Sequence, residues 1–433
     1  MPTTYAESSV TFSEVKTQKV VDEGEAASIL FMCDFPPSNL RGGPVLISRL
    51  LESYPRNRIV VLSGSYFDRI SPEEGRLCCK QFFFPTSNET GRWGLGRIKS
   101  LIDWLLIPVL GLYGIWVVKN HNTEVIVTIG HGHFFVAAAL TSWVIGVPMV
   151  LIVHDDWVGE MLRGSFVLKH FCIRIFQFVT RRAAHVYAVS PSMRDMLAMK
   201  YGVASEVQMP GIEPEIDANA SPTLARNNDE CLRILYAGSL SAAVDDSLNI
   251  LVELIKADKL SGYGIKSWEL LLFVPVAPEQ ARAAGWNHEK IKVQGWVSQE
   301  ELKAALTTAD ILFLPYSFRD EERFATSQAF PSKTTDYLMS GKSILILAPP
   351  YSSVARYANE FGFAEIVVEP SEEKLAQSIA RIWSSAVYRE ELAVNSRAAL
   401  HANHDINKQR AEFRVLLNHL AQETTGATIS SPA

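Results

Sequence analysis

The strongest constraint on this chain is an alternation that runs through it twice. Short apolar runs end in polar or glycine-bearing loops, and helical text follows each. In the first half, residues 28–33 (SILFMC) stop at Asp34-Phe35-Pro36-Pro37, helical text spans 44–52, and 59–62 (IVVL) stop at Ser63-Gly64. Further runs lie at 125–129, 149–153 and 186–189. The second half repeats the pattern at 232–237, 270–274, 291–294, 311–315 and 343–347. Strands that alternate with helices return in parallel, and a parallel sheet is covered on both faces, which is why its strands read as unbroken apolar runs. The expectation is an α/β protein with two such sheets.

Length agrees. At 433 residues the chain exceeds what one hydrophobic core holds. Residues 210–230 are rich in Pro, Asn, Asp and Ser, a linker composition. The expected units are an extension (1–24), a first domain (25–210), a linker (211–230), a second domain (231–400), a helix crossing back to the first domain (401–422) and a tail (423–433). Ser298-Gln299-Glu300-Glu301 reads as a capping box opening a helix over 299–307, and Gly341 as a helix stop.

Composition excludes several classes. With 48% hydrophobic and 20% charged residues the chain is globular, and a net charge of -6 speaks against a nucleic-acid partner. The five cysteines (Cys33, Cys78, Cys79, Cys172, Cys231) are odd in number, contain no CxxC pair and mostly have apolar neighbours, which suits free thiols in a reducing, cytoplasmic setting. The first 25 residues lack the zones of a signal peptide. The longest uncharged apolar run, 104–118, is shorter than the ~20 residues of a spanning helix and holds Pro108, Gly111 and Gly114.

Three segments carry chemistry. Arg41-Gly42-Gly43-Pro44 lets backbone approach a ligand at a helix start, where unpaired N–H groups favour an anion. Val153-His154-Asp155-Asp156 ends an apolar run, and in open α/β sheets ligands bind beyond the carboxyl ends of strands. His131-Gly132-His133 follows another run, but two histidines without a third ligand make a poor metal site, so no metal is expected. The third segment is Phe330-Pro331-Ser332-Lys333-Thr334-Thr335-Asp336-Tyr337-Leu338-Met339-Ser340-Gly341-Lys342. Pro331 suits a helix start, Lys333 supplies positive charge, and the Asp336 carboxylate one turn later can accept two hydrogen bonds from a diol.

This last segment resembles the nucleotide-sugar motif of glycosyltransferase family 4, with Gly295-Trp296-Val297-Ser298 and Ala309-Asp310-Ile311 upstream in the family's order. The resemblance extends from about residue 29 to 419. It implies a GT-B fold, two Rossmann-like domains facing across a cleft. It also implies retaining transfer of a sugar from a nucleotide-sugar to a glycan or lipid-linked acceptor, in cell-surface polysaccharide or glycolipid synthesis, with no cofactor beyond the substrate. Residue by residue, it puts Gly42, Gly43, Gly238, Ser239, Pro331, Ser332 and Lys333 around the donor and Asp336 on the ribose. His154 and Gln328 fall at the sugar, with Lys333 beside them in the catalytic set.

The chain departs from the family in two places. The family's paired acids fall on Gln328 and Asp336, an amide and a shortened acid. The loop 238–246 (GSLSAAVDD), where many members carry Arg and Lys, has no cation and two acids. Lys333, Arg319 and Arg323 are the candidates to replace that pair. These departures keep open a catalytically silent nucleotide-sugar-binding subunit of a transferase complex, and the fold keeps open a nucleotide-sugar epimerase. Finally, the stretch Met161 through Arg194 has no acid but holds Arg163, Lys169, Arg174, Arg181, Arg182 and Arg194 among large apolar residues. That pattern suits peripheral contact with an anionic membrane surface.

Overall fold

The computed structural model describes residues 26–38, 42–65, 76–86, 96–163, 170–213, 231–295 and 297–429. The first sheet contains β1 (Ile29–Cys33), β2 (Ile59–Gly64), β3 (Lys80–Phe84), β4 (Val125–Ile129), β5 (Met149–Val153), β6 (His185–Ala188) and β7 (Glu206–Val207). Their order is β3-β2-β1-β4-β5-β6-β7, and every pairing is parallel. The second sheet contains β8 (Cys231–Ala237), β9 (Ser267–Phe273), β10 (Ile291–Val293), β11 (Ile311–Pro315), β12 (Ser343–Leu347) and β13 (Ala364–Val367). Its order is β10-β9-β8-β11-β12-β13, again all parallel. Strands β1, β4, β5, β11 and β12 are buried along their whole length, as apolar runs between two helical layers must be.

Local signals set the helix ends. Ser298 Oγ accepts from Glu301 N (3.2 Å), and Glu301 Oε2 accepts from Ser298 N (2.8 Å), opening the helix Gln299–Thr308. That backbone bond holds the Glu301 carboxyl below its usual range. Gly341, at φ +66°, terminates the helix Lys333–Ser340 in the left-handed region that glycine adopts without strain. The last helix, Ile406–Ile429, runs past residue 422. Its Phe413, Leu416, Leu417 and Leu420 are buried with Ile29 and Phe31 of β1, so it belongs to the first core. A fully buried side chain of this kind contributes roughly 1.5–3 kcal/mol.

The two crossings between domains lie side by side. Ile212 pairs in parallel with Asp405, donating to the His404 carbonyl (2.9 Å), and Ile406 N donates to the Ile212 carbonyl (3.2 Å). His404 is buried between them, and burial lowers its pKa to about 4. Its neutral ring donates from Nδ1 to the Pro210 carbonyl (2.6 Å), so Nε2 accepts from the Tyr357 hydroxyl (3.0 Å).

The stretch 161–194 is not one helix. It holds part of the helix Trp157–Arg163, the helix Cys172–Arg182, β6 and the start of the helix Pro191–Met196, while 164–169 lies outside the described residues. The run 104–118 falls mostly within the helix Ile107–His121. Among the described residues no helix is long and apolar enough to cross a membrane. All five cysteines are free.

Candidate active site

Both sheets change direction at one point. In the first, the chain leaves β1 toward β2 on one side and later adds β4 on the other. In the second, β8 and β11 play the same parts. Loops at the carboxyl ends of such paired strands leave a crevice, the usual ligand position in open α/β sheets. A cavity of about 690 Å³ opens there, between the domains. From the second domain it is lined by Gly238 and Ser239 after β8, Tyr316 after β11, and Pro331, Ser332, Lys333 and Asp336 at the start of a helix. From the first domain come Val45 and Arg49 of the helix Gly42–Leu51 and Asp155 after β5.

Lys333 is the chemically distinctive group. Its Nζ sits 4.2 Å from the centre of the Tyr236 ring, and among the described residues it has no hydrogen bond or ion pair. Burial without a counter-ion lowers its pKa to about 7. The surroundings are fixed. The Tyr236 hydroxyl donates to the Ser239 carbonyl (2.9 Å), and Ala237 N donates to the Tyr337 hydroxyl (3.0 Å). Gly238, at φ +147°, makes room for the amine: a Cβ there would lie 2.6 Å from Lys333 Nζ. Asp336, one turn on, is held by Arg49 of the opposite domain through Nη2 to Oδ1 at 3.0 Å.

The loop 238–246 turns its acids away from the cavity wall. Asp245 and Asp246 both face Arg319, which also donates to the Ala242 carbonyl (2.6 Å). Arg323 stacks over Tyr351 at 4.3 Å. Neither arginine lines the cavity.

On the facing edge of the first sheet, Asp34 follows β1 and accepts from His131, which follows β4, at 3.1 Å. Gly132, at φ +58°, permits this approach, since a Cβ would fall 1.7 Å from Asp34 Oδ2. His154 follows β5. Burial lowers its pKa and the His131 charge adds to that, against Asp155. It lines a small void of about 20 Å³ with Gly211 and Ile406, one residue behind the wall residue Asp155. Asp156 accepts from the Tyr201 hydroxyl (3.2 Å) and sits 3.5 Å from Lys200, a structural role. Gln328 is buried behind the wall residue Ala329. Its carbonyl accepts from Ser190 Oγ (2.8 Å), and its side-chain oxygen is buried without a hydrogen bond among the described residues.

The structure therefore gathers Gly238, Ser239, Pro331, Ser332, Lys333 and Asp336 on one wall. Gly42 and Gly43 open the helix that supplies Val45 and Arg49, while His154 and Gln328 stand just behind the wall. Among the described residues no three His, Cys, Asp or Glu side chains gather as a metal site. Sequence reasoning missed Arg49. It lies one helical turn after Val45 and so reaches the cavity from the same helix face, but nothing in the sequence ties it to Asp336.

Two parallel α/β domains facing across a cleft define the GT-B fold. Residues 88–215 match the model of Glycosyltransferase Family 4. No curated protein matches by sequence. Among solved structures, Anabaena HepE in complex with UDP is 14% identical with a TM-score of 0.64, over 90% of this chain and 100% of that one. Sucrose-phosphate synthase from Thermosynechococcus elongatus is 13% identical with a TM-score of 0.65, over 92% and 99%. WaaG, a glycosyltransferase involved in lipopolysaccharide biosynthesis, is 12% identical with a TM-score of 0.56, over 90% and 99%.

Proposed function

We propose that this protein transfers a sugar, with retention, from a nucleoside-diphosphate sugar to a hydroxyl of a glycan or lipid-linked acceptor. The observation that carries the reading is the uncompensated Lys333 amine, one turn before Asp336, on the wall of an interdomain cavity large enough for such a donor. An anion entering there meets a buried cation that has no partner to give up. Lys333 and Ser332 hold the diphosphate, Gly42 and Gly43 add N–H groups from a helix start, and Asp336 accepts from the ribose. His154 and Gln328, each one residue behind the wall, complete the sugar end. In the front-face reaction the bond from the anomeric carbon to the diphosphate oxygen breaks. The acceptor oxygen bonds to the same face, and its proton passes to the departing diphosphate.

A lipid-linked acceptor is favoured by one surface. Leu105, Val109, Leu112 and Trp116 form an exposed row at helical spacing, and Trp143, Phe171 and Phe178 are exposed on neighbouring helices. Arg174 and Arg181 are exposed beside those aromatics. Aromatic and basic groups together suit a peripheral helix face on anionic lipid.

The test is a panel of nucleotide-sugars in a thermal-shift screen, then donor hydrolysis and transfer by the purified chain. Ligand that binds only the folded state raises its melting temperature. No shift with any nucleotide-sugar sinks the reading. A shift without hydrolysis or transfer identifies a silent binding subunit, and interconversion of free donor identifies an epimerase.

A further inference from the structure

We infer that Arg49, on the first domain, is the second cation of the donor site, supplied across the cleft in place of the cations missing from the loop after β8. The inference rests on the nucleotide-sugar reading. Charge on the cavity wall comes from four side chains, Arg49, Asp155, Lys333 and Asp336, and their formal charges cancel. A diphosphate in that cavity faces two carboxylates. Arg49 neutralises one of them, Asp336, and so leaves Lys333 free to meet the phosphates.

Arg49 also has capacity left over. A guanidinium offers five N–H donors. Among the described residues, one bonds to Asp336 Oδ1 at 3.0 Å and one to the Gly211 carbonyl at 3.5 Å. Three remain, on a side chain that lines the cavity. The other candidate arginines are committed elsewhere, Arg319 to Asp245 and the Ala242 carbonyl, Arg323 to the Tyr351 ring. Arg49 is also held in place. Its own carbonyl accepts from Arg410 Nε (2.8 Å), and Arg410 is paired with Glu52 and Glu213.

The pair has a second property. Among the described residues, Arg49–Asp336 is the only ion pair that joins the first domain's sheet-and-helix body to that of the second. A donor site that needs Arg49 is complete only when the domains face each other, so nucleotide binding and closure are coupled. Arg49 is a positioning residue toward Asp336 and a binding residue toward the phosphates.

A plain strut would lower the melting temperature without distinguishing ligands. The discriminating readout is the ratio of nucleoside-diphosphate affinity to nucleoside affinity. The probes are UDP, GDP and ADP with their matched nucleosides, measured by calorimetry on wild type, Arg49→Ala, Arg49→Lys and Lys333→Ala, with melting curves alongside. Arg49→Ala is expected to weaken the best-bound diphosphate about tenfold or more and its nucleoside less than about threefold, as loss of a charge-assisted contact requires. Arg49→Lys should recover part of the loss, and this variant keeps the test alive if the alanine form does not fold. Equal weakening of diphosphate and nucleoside, or unchanged diphosphate affinity in Arg49→Ala while Lys333→Ala still loses it, overturns the inference alone. Unchanged diphosphate affinity in Lys333→Ala as well overturns the donor-site reading and this inference with it.

Discussion

The two lips of the cleft are built on the same strand plan, yet their strand-end loops settle charge differently. On the second domain's lip, the loop after β8 and the helix beside it present Lys333 with no ion pair among the described residues, and burial lowers its pKa to about 7. On the first domain's lip, the loops after β1 and β4 present Asp34 and His131, which are paired with each other. Burial there also lowers the pKa of His154. Beside β8 a buried amine has no counter-ion among the described residues; after β1 and β4 the acid and the histidine pair with each other. Identical topology does not dictate this difference, which resides in a few loop residues, as expected where sites are grafted on a shared framework.

The largest expected effect is at Asp336. Asp336→Asn removes a charged acceptor, and nucleotide affinity should fall about 10- to 150-fold by calorimetric titration, from roughly 1.5–3 kcal/mol per charge-assisted bond. The matching change on the other lip, Asp34→Asn, should leave nucleotide affinity within about twofold. Equal losses would break the contrast between the lips.

Next come two glycines at positive φ, Gly238 and Gly132. Gly238→Ala places a Cβ 2.6 Å from Lys333 Nζ and should displace the amine, costing about tenfold in nucleotide affinity. Gly132→Ala places a Cβ 1.7 Å from Asp34 Oδ2. It should lower the melting temperature through strain of ~1–2 kcal/mol while nucleotide affinity is retained. An affinity loss in Gly132→Ala as large as in Gly238→Ala would show that the lips do not act separately.

The third test is pH. The free Lys333 amine has a pKa of about 7, and a bound diphosphate favours its protonated form, raising that value. Binding therefore takes up a proton, and affinity declines as pH rises through 7. The expected decline is about fivefold from pH 7 to pH 8 if the complex stays protonated. Lys333→Met should abolish both the decline and the proton uptake seen in buffers of different ionisation enthalpy. A flat profile in wild type would remove Lys333 from the phosphate site. The smallest effect is expected at Arg319, an exposed side chain already paired with acids. Arg319→Ala should change nucleotide affinity by less than about twofold, and a larger loss would make it the replacement cation instead of Arg49.

The central strands were legible because burial on both faces writes itself as an apolar run, as in 125–129 and 311–315. The edges were not. In β3, Lys80 is exposed, β7 is the two-residue Glu206–Val207, and β13 carries Glu365. An edge strand with one wet side loses the signal that marks a central one. The cavity wall was legible where residues are contiguous, from Pro331 to Asp336. Arg49 was not, because the sequence separates it from Asp336 by 287 positions and only the meeting of two domains joins them. The stretch 161–194 misled on continuity, since its described basic residues, Arg163, Arg174, Arg181, Arg182 and Arg194, lie on three separate helices with β6 between the last two.

The paired crossings at Ile212 and Asp405 limit how the halves can move. Two separate tethers would permit twisting and sliding. Two tethers hydrogen-bonded to each other, with a neutral His404 wedged between them, behave as one pivot. Sliding of one half past the other is then blocked at that point, and what freedom remains is rotation about it. Because translation is already removed, bringing the lips together costs only orientational entropy, and a modest attraction at the rim can hold them.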